Sequence, residues 1–402
     1  MTVVSESQQP ARAHGLDGSL VEPDWPPLTL SEIRSVVQYF PSVGEPVAIP
    51  FASPRPLSAA AVVETNSDRI FIKRHPRAVR DAAGLAEEHR FMRHLQSNGI
   101  SLPCIFATSS GVTAIESGDW TYEVHDLPAG IDLYEDAISW TPFRSAEHAR
   151  SAGEFLARIH LAAESFSAPE RKIQPLVASF TVFASPDPAC ALNQYLAVRP
   201  AITYHPQTLS DAERAVELLA PLHAELLPLL PSLPALWTHN DLHASNLFWS
   251  DSTPTARAAS VIDFGLADRT NAIHDLAHAI ERNIVEWLVL MNDPTAGERV
   301  PVHLDHLWAL LEGYEQIRPL SLAESAALAP MLALCHAEFA LTEADYFLDV
   351  LHSSSKARVA THDYLFAHAK WFAGPGRHKL LDPIRRWAES RQHRAQQRTV
   401  RI

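Results

Sequence analysis

The sequence predicts an α+β chain of two lobes, a small antiparallel-sheet lobe first and a larger, mostly helical lobe after it. Three observations predict this. Short β-branched runs separated by polar turns crowd residues 46–73. Helical apolar periodicity then dominates from about residue 130 onward. That helical region is broken once, at 235–268, by two apolar strands flanking polar loops. At 402 residues the chain has room for two or three domains and a sizeable core.

In chain order, residues 1–27 lack apolar periodicity and read as a mobile leader. Residues 28–126 form the first lobe. PVAIPFAS is a strand; AAAVVET and RIFIK flank a polar turn at 66–68 and read as a hairpin. In AAGLAEEHRFMRHLQSNGI, the residues Leu85, Phe91, Met92 and Leu95 recur at helical spacing and Gly99 supplies the stop. VTAIES and WTYEVHDL suggest a second hairpin. Residues 127–382 form the helical lobe, with helices expected near 144–165, 210–229, 272–291, 303–317, 321–352 and 356–372. Ser210 with Glu213, and Ser321 with Glu324, fit the spacing of a capping box, in which side chain and backbone N–H bond reciprocally across the first turn. Residues 383–402 are a basic tail.

Composition excludes several function classes. A net charge of -14 gives no cationic surface for nucleic acid or anionic lipid. The three cysteines, Cys104, Cys190 and Cys335, are far apart, which signals neither a disulfide framework nor a cysteine zinc cluster. Apolar stretches are interrupted by Pro, His or Glu before membrane-spanning length. A cytoplasmic protein without membrane or nucleic-acid partners is expected.

The loops at 239–265 carry the chemical signal. His239-Asn240-Asp241-Leu242-His243-Ala244-Ser245-Asn246 fits H-x-D-x-x-x-x-N, and Asp263-Phe264-Gly265 follows an apolar strand. Phosphoryl transfer needs these parts: a carboxylate near the attacking hydroxyl, and an amide oxygen and a second carboxylate for Mg2+. Asp241 is the candidate catalytic residue, while Asn246 and Asp263 are the candidate metal ligands, because Mg2+ prefers hard oxygen donors. A cation is also needed at the nucleotide phosphates. Lys73, at the end of RIFIK, fits that role if Glu88 on the next helix pairs with it, with Glu87 as the competing partner.

These motifs resemble the aminoglycoside phosphotransferase and choline kinase-like group of small-molecule kinases, relatives of the eukaryotic protein kinases. The resemblance covers roughly residues 41–372 and rests on IFIK, AEEHRFMRHL, FLARIH, HNDLHASN, VIDFG and IHDLA. It implies a bilobal protein-kinase-like fold, ATP and Mg2+ as cofactors, and a small-molecule hydroxyl acceptor such as an amino sugar or amino alcohol. It further implies a hinge at residues 122–126, where the backbone of Glu123, Val124 and His125 would hold the adenine. Asp275 would support the catalytic loop and His239 would brace it. One departure stands out. The glycine-rich phosphate loop of protein kinases is replaced by FASPRPLSAA, so phosphate contact falls to Ser53, Ser58 and the local backbone, with Arg55 as a helper.

Other readings remain open on the sequence. His239, Asp241 and His243 alternate, and on a strand they would face one way as a His-Asp-His metal set for hydrolysis. A protein-directed kinase and a non-catalytic nucleotide-binding module share the same motifs. Glu281, Glu286, Glu338, Glu343, Asp345 and Asp349, with Tyr346 and Trp287 nearby, could surround a cationic acceptor.

Overall fold

Thr29 opens the first helix, α1 (Leu30–Val37), with a capping box: its side chain accepts from Glu32 N while the Glu32 carboxylate accepts from Thr29 N. The apolar face of α1, with Ile33, Val36 and Val37, lies in one buried cluster with sheet residues Ala61, Val63, Ile70, Ile72 and Val124. The computed structural model describes residues 13–14, 20–21, 23–53, 57–137, 139–172 and 175–400. Most of the leader lies outside these, although Ala13–His14 pairs antiparallel with Leu20–Val21. The chain divides into two units, residues 1–86 with 104–127, and residues 87–103 with 128–402.

The first unit is built on a five-stranded antiparallel sheet. Its strands are β1 (Pro46–Ala52), β2 (Ala59–Thr65), β3 (Arg69–Pro76), β4 (Ala114–Ser117) and β5 (Trp120–His125), in the order β1-β2-β3-β5-β4. Both expected hairpins form. The 66–68 turn closes through Thr65, whose hydroxyl accepts from Asp68 N at 2.9 Å. Arg74 is buried on β3, where Glu32 of α1 meets it at 2.7 Å and the Trp120 ring lies 4.2 Å from its guanidinium carbon. Helix α2 (Ala82–Ser97) follows β3 and ends at Gly99, whose φ of 84° is the left-handed conformation that stops a helix.

The second unit is mostly helical. Helices α3 (Ala146–Ala163) and α6 (Leu304–Ile317) approach closely because each carries a glycine at the contact. A Cβ on Gly153 would lie 2.1 Å from the Leu310 carbonyl oxygen, and one on Gly313 would lie 2.1 Å from that of Arg150. Between them in sequence come α4 (Pro206–Leu226), strands β6 (Ala235–Thr238), β7 (Leu247–Trp249), β8 (Ala258–Val261) and β9 (Asp268–Asn271), and helix α5 (Ala272–Ile284). Strand β6 pairs with β9 and β7 with β8, so two short ribbons frame the two polar loops. Helices α7 (Leu322–Leu334), α8 (His336–Asp345) and α9 (Asp382–Val400) complete the scaffold. The basic tail is therefore helical, and ion pairs fix Arg385 to Glu225 and Arg391 to Glu315.

Two local expectations change. The helix expected to begin at Ser210 begins at Pro206, with His205 as its cap, because proline suits the first turn, where no N–H partner is needed. The long helix expected over 321–352 runs over Leu322–Val350, passing through Cys335 in helical geometry with its N–H on Met331 O, and its last turn widens at Tyr346–Val350. Its start is as expected, with Ser321 and Glu324 forming the capping box. The stretch Leu322–Val350 is apolar and long enough to cross a membrane, but 94% of that apolar window is buried within the protein, as in a core helix.

Candidate active site

The catalytic loop is held by the first turn of α5. Asp275 accepts His239 N at 2.9 Å and Asn240 N at 2.8 Å, pinning the backbone just before Asp241. His160 Nε2 lies 3.0 Å from the same carboxylate, and its Nδ1 is 2.6 Å from the Tyr314 hydroxyl. Burial pushes the Asp275 carboxyl up, but His160 and the backbone amides outweigh it and hold the group below the usual aspartate value. Asn240 takes a φ of 61°, a left-handed conformation that asparagine tolerates better than most residues. Farther along, Asn283 of α5 accepts Ala244 N at 2.9 Å and donates to Leu242 O at 2.9 Å. The loop is thus fixed on both sides of Asp241.

Asp241 itself is half-buried. Burial raises its carboxyl to about 6, with the charge of Asp263 adding to the rise and Arg282, His239 and Asn246 opposing it. One oxygen, Oδ1, faces Arg282 at 3.5 Å; the other accepts from Asn246 Nδ2 at 3.2 Å. That amide also donates to Asp241 O at 2.9 Å. With its nitrogen committed to Asp241, Asn246 keeps its amide oxygen for another partner. Ile262 N donates to Asn246 O at 2.9 Å, tying the residue before Asp263 to the catalytic loop. Asp263 is solvent-exposed with a φ of 61°. Asp263 and Asn246 offer a carboxylate and an amide oxygen, hard donors of the kind Mg2+ takes, so their chemistry fits that ion.

The hydrolase set does not form. Residues 239–243 are loop rather than strand, His239 Nε2 turns to Ile262 O at 3.0 Å, and Asp241 N donates to His239 Nδ1. His239 braces the segment and its ring packs edge-on against Phe264 at 4.7 Å. His243 Nδ1 bonds Ser245 Oγ at 2.8 Å, while its Nε2 lies 3.7 Å from Asp241 Oδ2.

Sequence reasoning missed Arg282. It lies buried on α5 between Asp241 and Glu281, with its guanidinium carbon 4.5 Å from the Phe339 ring centroid and 5.2 Å from that of Trp140. Burial lifts the nearby Glu343 carboxyl to about 8 against the opposing charge of Arg282. The only signal was a charged pair, Glu281-Arg282, in a helix whose every residue is buried. The acidic acceptor shell expected here is largely committed elsewhere. Glu338 accepts Val182 N at 2.6 Å and Thr181 Oγ1 at 2.9 Å, Glu281 meets His368 at 3.1 Å, and Trp287 stacks on His368.

Within the first unit, Lys73 sits in β3 opposite Glu123 of β5 and Ala60 of β2. Ser53 N donates to Ala60 O at 2.8 Å, which places Ser53 at the mouth of the β1–β2 turn, and Ser58 is half-buried on its other side. Arg55 lies outside the described residues. The expected hinge differs in part. Val124 O accepts Phe106 N at 2.9 Å and Asp126 N donates to Cys104 O at 3.0 Å, so these groups serve the sheet rather than a base. The Glu123 carboxylate is bracketed by His75 and His125, each 2.9 Å away. In the second unit Glu88 lies 3.5 Å from Arg171, a partner that had no sequence signal.

Comparison with known proteins agrees with this geometry. The model of the phosphotransferase enzyme family matches residues 57–320. A homoserine kinase of Rhodospirillum rubrum is 29% identical over 303 residues, covering 72% of this chain and 78% of its own. One of Gluconobacter oxydans is 26% identical over 284 residues, covering 68% and 74%. Among solved structures, a microcompartment-associated aminopropanol kinase matches with a TM-score of 0.57 at 17% identity, covering 89% of this chain and 99% of its own. Amicoumacin kinase, in complex with AMP-PNP, Ca2+ and Ami, matches at 0.54 and 15%, covering 84% and 92%. The sheet unit, the helical unit and the paired polar loops accordingly have the protein-kinase-like fold, and the chain belongs to the phosphotransferase enzyme family of small-molecule kinases.

Proposed function

We propose that this chain transfers the γ-phosphoryl group of ATP to the hydroxyl of a small amino-bearing molecule, and that a hydroxy amino acid of the homoserine type is the first acceptor to test. The observation that carries the reaction class is the tie between Asp241 and Asn246, with Asp263 one residue beyond the Ile262–Asn246 hydrogen bond. The acceptor class is supported by the homoserine kinases that align over about 70% of the chain.

In this mechanism Asp241 accepts a hydrogen bond from the acceptor hydroxyl and takes its proton as the oxygen attacks. A carboxyl raised to about 6 is ionised at neutral pH, yet is a better proton acceptor than an ordinary aspartate. Arg282 on one oxygen and Asn246 on the other fix the carboxylate plane, which helps keep the hydroxyl in line. Asn246 and Asp263 would hold Mg2+, which when bound neutralises charge on the phosphates. Lys73 offers the ammonium for the nucleotide, with Ser53 and Ser58 near the phosphates in place of glycines.

The test is a coupled ADP-release assay over L-homoserine, other hydroxy amino acids, amino alcohols, amino sugars and a protein substrate, with product confirmed by mass spectrometry. Phosphorylated homoserine at the highest kcat/KM supports the reading. Transfer to protein alone would overturn it.

A further inference from the structure

The segment after Asp263 is gripped from outside the motif. Three successive carbonyls have donors there. Gly265 O and Ala267 O both accept from Arg171 Nη1 at 3.1 Å, and Leu266 O accepts from Asn240 Nδ2 and from Ala178 N, each at 3.3 Å. The same arginine donates its backbone N–H to Asp268 Oδ1 at 2.8 Å, and Ser179 Oγ donates to Asp268 Oδ2 at 2.8 Å. Its side chain is wholly buried, and Nη2 points to Glu88 of α2 at 3.5 Å. Phe91, one turn along α2 from Glu88, packs against Phe264 at 5.9 Å. One guanidinium therefore joins the two residues around Leu266 to the helix that carries Glu88, with its planar fork of donors making several bonds at once.

We propose that Arg171 is a positioning residue for the metal-binding segment: by holding Gly265 and Ala267 against Glu88, it keeps Asp263 in its left-handed turn beside the catalytic loop. This rests on the reading of Asp263 as a metal ligand. It also gives Glu88 a role through Arg171, and it makes the turn a fixed part of the fold that needs no separate switch to assemble.

The test is calorimetric titration of Mn2+ into the full chain with AMP-PNP present, comparing wild type with Arg171→Met, Arg171→Lys and Glu88→Gln. Outer partners of metal ligands commonly set affinity by about 10- to 100-fold. Arg171→Met is expected to weaken Mn2+ binding about 10-fold. Glu88→Gln, which retains shape, should shift it less in the same direction, and Arg171→Lys should recover part of the loss. Backbone amide exchange over residues 263–268 should quicken in the same order, while KM for the hydroxyl acceptor stays at the wild-type value. Wild-type Mn2+ affinity in a folded Arg171→Met protein would overturn the proposal; if that variant does not fold, wild-type affinity in Glu88→Gln does so. Absence of Mn2+ and nucleotide binding in wild type itself would instead overturn the kinase reading on which the proposal stands.

Discussion

The 239–246 loop and the segment after Asp263 are held by opposite means. A buried carboxylate, Asp275, gathers the amide N–H groups of His239 and Asn240, whereas a buried guanidinium, Arg171, gathers the carbonyls of Gly265 and Ala267. Each brace has its own counter-charge, His160 for Asp275 when protonated and Glu88 for Arg171. Asn240 links the two, since its N–H goes to Asp275 and its side-chain amide to Leu266 O. An irregular loop has unpaired backbone groups, and burying them unpaired is costly. The difference shows that a loop can be fixed through whichever set of backbone groups it turns inward, given a buried charge of the matching sign.

The largest effect expected on either side comes from the chemistry at their junction. Asp241→Asn should lower kcat by about 1,000-fold, within the usual range for a general base. ATP affinity measured by calorimetry should hold to about twofold, because the substituted group is not a nucleotide ligand. Breaking the carboxylate brace comes next. Asp275→Ala strands two amides and a buried imidazole, and should cost about 3–5 kcal/mol in urea unfolding. Replacing the proposed metal ligand separates the two regions: Asp263→Ala should abolish the Mg2+ dependence of nucleotide binding while unfolding free energy changes by about 1 kcal/mol or less, as for an exposed side chain.

A pH-dependent effect comes from buried neutral imidazoles on α5 and α8. Burial lowers His336 to about 3 and His274 to about 4. Both are uncharged in the folded state, while the unfolded chain takes up their protons as pH falls below about 6.5. Stability from these groups is thus complete above that pH and declines toward the folded-state value. His336→Gln should make unfolding free energy less sensitive to acid between pH 6.5 and 4, by up to about 1.4 kcal/mol per pH unit. An unchanged slope would mean that His336 titrates alike in the folded and unfolded chain.

The parts legible in the sequence are those written locally. The 66–68 hairpin, the Gly99 stop, the Ser321 capping box and both motif loops depend on residues a few positions apart. The braces depend on residues brought from far along the chain. Arg171 meets Gly265 across 94 positions, and in sequence it is an arginine in an unpatterned loop. Arg282 meets Asp241 from the next helix, and only its burial distinguishes it from a solvated charge. The partner of Glu338 is hidden from the sequence for the same reason: its carboxylate serves the backbone of Thr181 and Val182, more than 150 positions away.

In the proposed reaction Asp241 acts on the acceptor rather than on the nucleotide. Rapid-quench single turnover with enzyme, Mg2+ and γ-labelled ATP in excess over L-homoserine measures this directly. Wild type should pass label to the homoserine hydroxyl in one exponential phase, with Asp241→Asn about 1,000-fold slower at equal ATP occupancy. Equal transfer rates in the two proteins, or label appearing only as inorganic phosphate, would contradict it.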